Sequence, residues 1–416
     1  MRNTPFWWIL IGIMIVLDIY VFQAVRFLAH NASPKTRSVI YLCYWGISAI
    51  AVIVLVLLPY INWLQSSRGL RSTLFAIIAG IFIAKLIAAI FFLADDIRRL
   101  VQWVFSKLFF PARRDNGDAG GERISRSVFL TWAGTIAGSG IFGSLLMGFG
   151  NKYRYRLHHH QLSFDNLPSA FKGLKIVQIS DIHSGSFNDK TAVARGVEMV
   201  MEQKPDLILF TGDLVNNRAD EMDDYKDIFN KLAAPMGVYS TLGNHDYGDY
   251  VHWDSAEEKR ANLQRLKDVH AEIGWKLLVN EHVVLNKAGQ EIALIGVENW
   301  SAKARFPKYG DLQKAYTGAE HYPFKILMSH DPSHWDAEVR KRYPDIDLML
   351  AGHTHGMQFG IELPGFKWSP VQYVYKQWAG LYEEGAQKLY VNRGYGFIGY
   401  PGRVGILPEI TVFELA

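Results

Sequence analysis

Three neighbouring stretches decide the fold: LKIVQISDIH at 174–183, DLILFTGD at 206–213 and GVYSTLGNHD at 237–246. Each is a short apolar run that stops at a polar cluster: Asp181-Ile182-His183, Gly212-Asp213 and Gly243-Asn244-His245-Asp246. Between them, residues 191–203 and 225–232 carry helical periodicity. The order strand–helix–strand–helix–strand predicts a parallel sheet, whose strands are buried on both faces and therefore read as continuous apolar runs. Ligands of such sheets gather beyond the carboxyl ends of the strands. All three polar clusters fall at those ends. Further runs at 283–286, 292–297, 325–329, 348–350 and 388–392 predict more strands, enough for a second sheet.

The rest of the chain divides in two. Of 416 residues 49% are hydrophobic, which excludes a disordered or collagen-like chain, and the net charge is +4. That average hides a value of +8 over residues 1–150 and −4 over 151–416. Residues 1–94 hold only eight charged side chains, so this end is lipid-like. Because the basic excess lies outside the domain with the polar clusters, nucleic acid is disfavoured as its partner. Histidines run the other way, with 13 of 14 after residue 150. The single cysteine, Cys43, leaves no intramolecular disulfide and no thiolate metal site.

Four stretches are long and apolar enough to span a bilayer, at 6–28, 39–59, 73–94 and 128–149. The fourth is rich in glycine (Gly134, Gly138, Gly140, Gly143), which suits close helix packing. Residues 97–110 alternate apolar side chains with Arg98, Arg99 and Lys107 and predict an amphipathic helix on the membrane surface, followed by a linker at 111–121. The expected division is a membrane domain over 1–150, with four transmembrane helices and one amphipathic helix, and a second domain over 151–416. The loops after spans one and three hold nine Lys and Arg, against three to six on the other side. By the positive-inside rule that orientation puts the C-terminal domain outside the cytoplasmic (inner) membrane. Asp18 and Lys85 lie within spans, where a lone charge is costly, and a mutual ion pair is the expected solution.

The polar clusters combine with single histidines downstream into one ordered set: Asp181, His183, Asp213, Asn244, His245, Asp246, His330, His353 and His355. Carboxylate and amide oxygens mixed with imidazoles, without thiolates, suit Mn, Fe, Zn or Mg. The order Asp-x-His, Gly-Asp, Gly-Asn-His-Asp, single His, Gly-His-x-His resembles the calcineurin-like metallophosphoesterases over about residues 170–414. With the spans upstream, it is similar to the membrane-anchored bacterial branch. The resemblance implies an α+β catalytic domain, a four-layer α-β-β-α sandwich, preceded by the α-helical transmembrane domain. It also implies two divalent metal ions. Asp213 would bridge them, Asp181, His183 and His355 would complete one site, and Asn244, His330 and His353 the other. His245 would stand beside the scissile phosphate as the catalytic histidine, with Asp246 as its orienting partner. Two cations about 3.5–4 Å apart can lower the pKa of a water and clamp the phosphoryl oxygens, and a near-neutral histidine suits the leaving oxygen.

Other features carry less. Residues 125–130 resemble a twin-arginine export motif, with Ser127 where the second arginine belongs. His158-His159-His160 reads as an exposed strand or linker. Met357 replaces a glycine of the family's Gly-His-Thr-His-Gly-Gly-Gln pattern. Arg393 and Arg403 are candidates for substrate-phosphate binding, with structural hydrogen bonding the equal alternative. The aromatic segment 366–382 fits either a membrane interface or acyl pocket, or ordinary core packing. The leading functional reading is a membrane-anchored phosphoesterase whose substrate is a phosphodiester, pyrophosphate or phosphomonoester, with phospholipids and glycolipids among the candidates. The alternatives are an enzyme like the UDP-diacylglucosamine pyrophosphatases of lipid A synthesis, and a non-catalytic membrane sensor or scaffold.

Overall fold

The computed structural model describes residues 5–57, 60–61, 68–109 and 126–416, and falls into two compact units, residues 1–147 and 148–416. In the first unit lie the helices α1 (Pro5–Leu28), α2 (Pro34–Leu57), α3 (Arg68–Phe109) and α4 (Val128–Gly148), all long and apolar enough to cross a membrane. Local chemistry starts two of them. Ser33 Oγ accepts from Thr36 N at 3.2 Å, with Pro34 opening α2, and Ser127 Oγ accepts from Leu130 N at 3.3 Å. The serine that breaks the export-motif resemblance is thus the residue that caps α4. Ser125, the linker at 111–121 and three of the nine counted basic residues, Arg113, Arg114 and Arg123, lie outside the described residues.

The separate amphipathic helix expected at 97–110 is corrected: 73–94 and 97–109 belong to one 42-residue helix, α3. The polar turn between them contains no glycine or proline to break it, and its charges pair one turn apart, Asp95 with Arg98 at 2.9 Å and Asp96 with Arg99 at 3.1 Å. At ~1.5 Å per residue the rod is about 63 Å long, roughly twice the ~30 Å of hydrocarbon. Gly134 and Gly138 of α4 lie against Ala88 and Ala84 of α3. A Cβ on Gly134 would stand 2.9 Å from the Ala88 carbonyl oxygen, which is why small residues recur at this interface.

Asp18 and Lys85 are paired at 2.5 Å between α1 and α3, and Lys85 Nζ also donates to Ser48 Oγ at 2.7 Å. Replacing Lys85 by Met leaves a buried carboxylate without its cation, an expected loss of about 3–5 kcal/mol. The double variant Asp18→Leu/Lys85→Met is expected to recover most of it, read as the thermal midpoint in detergent. Recovery marks the pair as structural, whereas a double variant no more stable than Lys85→Met alone would contradict that reading.

The strands of the second unit are, in order, β1 (Arg156–Leu162), β2 (Lys175–Ile179), β3 (Leu207–Phe210), β4 (Val238–Ser240), β5 (Lys276–Leu277), β6 (Glu281–Lys287) and β7 (Gln290–Gly296). They continue with β8 (Lys325–Met328), β9 (Leu348–Ala351), β10 (Ile361–Leu363), β11 (Phe366–Trp368), β12 (Gly380–Glu384), β13 (Gln387–Val391) and β14 (Glu409–Leu415). Two six-stranded sheets result, β1-β14-β2-β3-β4-β5 and β12-β13-β9-β8-β7-β6, with β10-β11 as a separate hairpin. The predicted parallel trio is β2, β3 and β4, and the second sheet has its own in β7, β8 and β9.

Alternating side chains divide the interior into three apolar layers. In β3, Leu207 and Leu209 enter the layer between the sheets, which Ile292, Leu294, Ile326 and Leu350 reach from the opposite side. Ile208 and Phe210 face the layer shared with Val193, Val197 and Val200 of α5 (Lys190–Glu202). On the far side, Ala293, Ile295 and Leu327 pack with Leu312, Trp335 and Val339. Three layers between four sets of elements give the α-β-β-α sandwich. Gln178, fully buried on β2, ties the sheets together by donating to Thr211 Oγ1 and to the Ala351 carbonyl of β9, both at 3.0 Å. His158–His160 lie on β1, the edge strand, paired with Thr411–Phe413. The helix expected at 225–232 is a single turn, α6 (Lys226–Phe229), after which i→i+3 hydrogen bonds take over.

Candidate metal centre

The parallel strands of both sheets deliver their carboxyl ends to one place. From the first sheet come Asp181 and His183 after β2, Asp213 after β3, and Asn244 and His245 after β4; from the second come His330 after β8, and His353 and His355 after β9. The chain turns sharply at each exit. Asp181 (φ 53°), His183 (51°), Asp213 (62°), His353 (71°) and His355 (49°) all adopt left-handed backbone, at a cost of about 1–3 kcal/mol each for residues with side chains. Gly212 makes the closest approach. At φ 96°, a Cβ there would sit 2.6 Å from Gly243 N and 2.8 Å from His330 Nδ1.

Two groups of side chains could each hold a cation: Asp181, His183 and His355, and Asp213, His330 and His353, with the ligand atoms of each group within 4.8 Å of one another. Asp213 also touches the first group. Its Oδ2 is 3.1 Å from His330 Nε2 and 3.5 Å from His183 Nε2. Asn244 joins the second group through Oδ1, 2.7 Å from His353 Nδ1, while its Nδ2 donates to Tyr250 Oη at 2.9 Å.

The hydrogen bonds behind these rings aim their lone pairs inward. His330 Nδ1 donates to the Thr211 carbonyl at 2.7 Å, leaving Nε2 for Asp213. Tyr375 Oη accepts from His353 Nε2 at 2.9 Å and donates to Asp331 Oδ2 at 3.1 Å, leaving Nδ1 toward Asn244. His183 Nε2 and His355 Nε2 face each other at 3.0 Å. Imidazole nitrogens converging with carboxylate and amide oxygens in a buried site form a donor set that fits divalent metal ions.

The ionisation states agree. For Asp181 and Asp213 burial alone would raise the carboxyl pKa, but the histidines, His355 for Asp181 and His330 for Asp213, override it and hold both groups below the usual carboxylate range. His183 is pushed well down by burial and stays a neutral donor of electrons. His330 is opposed by burial yet raised to about 10 by Asp213 and Asp181, which places a positive charge where a metal would sit.

His245 lines the cavity in front of this set, a space of about 310 Å³. Its Nδ1 is fixed by the Asn216 carbonyl at 2.8 Å. Asp246 is not its orienting partner, and that expectation is corrected: the carboxylate is fully buried and accepts from the backbone N–H groups of Gly243 (2.8 Å), Asp213 (2.9 Å), Leu214 (2.8 Å) and Val215 (3.3 Å). It clamps the Asp213 turn to the Asn244 turn.

Arg393 and Arg403 stand behind the site and not in the cavity, so the phosphate-binding expectation is corrected as well. Arg393 pairs with Glu409 at 2.5 Å and with Glu362. Arg403, fully buried, donates to the carbonyls of Arg393, Gly394 and Gly396 and backs His355 Nδ1 at 3.2 Å. The arginine that lines the cavity is Arg305, beside Phe306. Sequence reading missed it, together with Asn216, Asp331 and Tyr375. Only Asp331, next to His330, and Tyr375, within the aromatic segment, had a local signal. Met357 takes left-handed backbone (φ 55°), which accounts for glycine in the related pattern, and its exposed side chain reaches the cavity rim.

Similarity to known proteins agrees with this geometry. Residues 1–151 match the family described as "Probable Calcineurin-like phosphoesterase, transmembrane domain", and residues 174–357 match the calcineurin-like phosphoesterases. YkuE of Bacillus subtilis, an uncharacterised metallophosphoesterase, is 31% identical over 317 residues, which is 71% of this chain and 98% of that protein. The phosphodiesterase YaeI of Escherichia coli is 29% identical over 298 residues, 70% of this chain and 99% of that one. LpxG of Chlamydia muridarum, a UDP-2,3-diacylglucosamine pyrophosphatase, is 27% identical over 282 residues, 55% of this chain and 81% of that one. The chain belongs to the calcineurin-like metallophosphoesterase family. It is a membrane protein and a metal-dependent phosphoester hydrolase, so the scaffold alternative falls away.

Asp246→Asn turns an amide N–H₂ toward backbone donors, and is expected to lower both the thermal midpoint and the metal content measured by mass spectrometry. His245→Ala is expected to leave both in place. Metal retained at the wild-type level in Asp246→Asn would contradict the clamp.

Proposed function

We propose that the chain is a membrane-anchored dinuclear phosphoesterase that hydrolyses a phosphodiester, pyrophosphate or phosphomonoester bond. The observation that carries the dinuclear reading is the position of Asp213, whose one carboxylate oxygen lies within 3.5 Å of an imidazole from each group. Asp181, His183 and His355 would hold one cation, Asn244, His330 and His353 the other, and Asp213 both. Such a pair supplies positive charge where the phosphoryl oxygens gather negative charge, and activates water.

The chain's own residues do the rest. His245 has Nδ1–H committed to the Asn216 carbonyl, so Nε2 is the atom left to exchange a proton with the leaving oxygen, which it donates from the doubly protonated ring. Arg305 is placed to hold a substrate phosphate at the mouth. Phe306, edge-on to His353 with ring centroids 4.7 Å apart, covers the second group from solvent.

The basic-residue asymmetry of the loops supports a catalytic unit on the outer side of the cytoplasmic membrane. A second reading, a nucleotide-lipid pyrophosphatase of the kind named for the Chlamydia relative, is supported by that similarity.

Full-length protein supplied with Mn, Fe, Zn or Mg is expected to hydrolyse bis(p-nitrophenyl) phosphate, to lose turnover on chelation and to regain it on re-addition. Asp213→Asn should abolish it, and His245→Ala should lower kcat by about 10²–10⁴. Arg305→Ala should raise KM far more than it lowers kcat. Wild-type protein inert with all four metals would overturn the reading. For orientation, a single cysteine at Glu291→Cys in a Cys43→Ala background should react with an impermeant maleimide on intact cells; labelling only after lysis would reverse the topology.

A further inference from the structure

The hairpin β10–β11 is built inside out. Its register pairs Ile361 with Trp368 and Leu363 with Phe366 on one face, and Glu362 with Lys367 on the other. A hairpin of a soluble domain turns its apolar face to the core and its charges to water. Here the charged face is tied to protein through its ends: Glu362 pairs with buried Arg393, and the otherwise exposed Lys367 donates through Nζ to the Ala379 carbonyl. The apolar face is left outside, with Ile361 48%, Leu363 60% and Phe366 55% exposed.

The exposure is concentrated. Of the nine large apolar side chains that residues 148–416 expose, six lie between 357 and 374: Met357, Ile361, Leu363, Phe366, Tyr373 and Val374. Met357 and Val374 also line the cavity of the metal centre, so the patch is continuous with its mouth. A clustered apolar patch of this kind marks a contact surface.

The occupant follows from how the unit is tethered. Only residues 149–155 separate Gly148, where the fourth apolar helix ends, from the first strand at Arg156. At ~3.5 Å per residue those seven residues reach no further than about 25 Å. The unit therefore works close to lipid. Within the second unit, which begins at Gly148, Gly360 N donates to the Val404 carbonyl and Arg403 N to the Gly148 carbonyl, both at 2.9 Å.

We propose that the exposed face of β10–β11 inserts into a phospholipid surface and brings the mouth of the metal centre to lipid-borne phosphoesters. Insertion itself does not depend on the proposed activity; the substrate class does. The aromatic segment 366–382 then has two functions, with Phe366 and Tyr373 at the lipid surface and the buried Tyr375 and Trp378 in the core.

The test uses full-length protein with Cys43→Ala and one environment-sensitive fluorophore, at Leu363→Cys, Phe366→Cys or, as the control, Glu291→Cys. The protein is reconstituted in phosphatidylcholine–phosphatidylglycerol vesicles with or without doxyl-labelled acyl chains. The expected result is severalfold stronger quenching at 363 and 366 than at 291. Equal quenching at all three positions overturns the proposal, as does a 363 label that is shielded from doxyl lipid but cross-links to a second copy. Because quenching requires no turnover, a protein that hydrolyses no phosphoester would defeat the proposed function and leave this result to stand or fall alone. In an active protein, Leu363→Glu/Phe366→Glu should keep hydrolysis of soluble bis(p-nitrophenyl) phosphate and lower that of a vesicle-embedded phospholipid by about tenfold. Equal rates on the embedded lipid would count against the proposal.

Discussion

Electron-pair donors facing one another in a buried space is the constraint on which the catalytic unit is organised. His183 Nε2 and His355 Nε2 stand 3.0 Å apart, His353 Nδ1 is 2.7 Å from Asn244 Oδ1, and His330 Nε2 is 3.1 Å from Asp213 Oδ2. Divalent cations between these groups would engage their lone pairs together. The backbone that presents them is strained as well, with left-handed residues at five ligand positions. Metal binding and the stability of this edge of the sandwich are therefore linked.

What keeps the arrangement in place is a layer of groups that never reach the cavity. Asp246 gathers four backbone N–H groups from two strand exits. Arg403 collects the carbonyls of the 393–396 loop and backs His355, and Glu409 ties Arg393 to Tyr390, whose hydroxyl donates at 2.6 Å. Charge in this layer is used for rigidity. That is why a buried arginine pair beside the metal centre stays out of the cavity, which the exposed Arg305 lines instead.

The membrane unit answers the same problem differently. A buried charge there is met by one partner and a hydroxyl, Asp18 with Lys85 and Ser48, and close helix approach comes from Gly134 and Gly138. The two units then share an affinity for lipid, one through its spans and the other through a hairpin whose apolar face is exposed among the described residues.

Much of this was legible in the chain alone, because hydrophobic burial and strand ends leave local marks. Apolar runs of span length, the βαβαβ order and the polar clusters after each strand all depend on residues close in sequence, and the ligand blocks could be read in order. The rest depends on residues far apart. Asp246 reads as a partner for its neighbour His245, yet the N–H groups it accepts are mostly some thirty positions away. Arg393 and Arg403 read as phosphate contacts because nothing local shows Glu409, Glu362 or the carbonyls beneath them. A polar turn at 95–99 reads as a helix end, although i→i+3 pairs continue the helix through it. The sequence by itself determined which atoms could bind metal and where the membrane spans lie, since both follow from residue type and spacing. Only the tertiary structure decided which polar groups face the cavity and which brace it, and which face of a short hairpin is left to lipid, because those depend on what the rest of the chain packs against them.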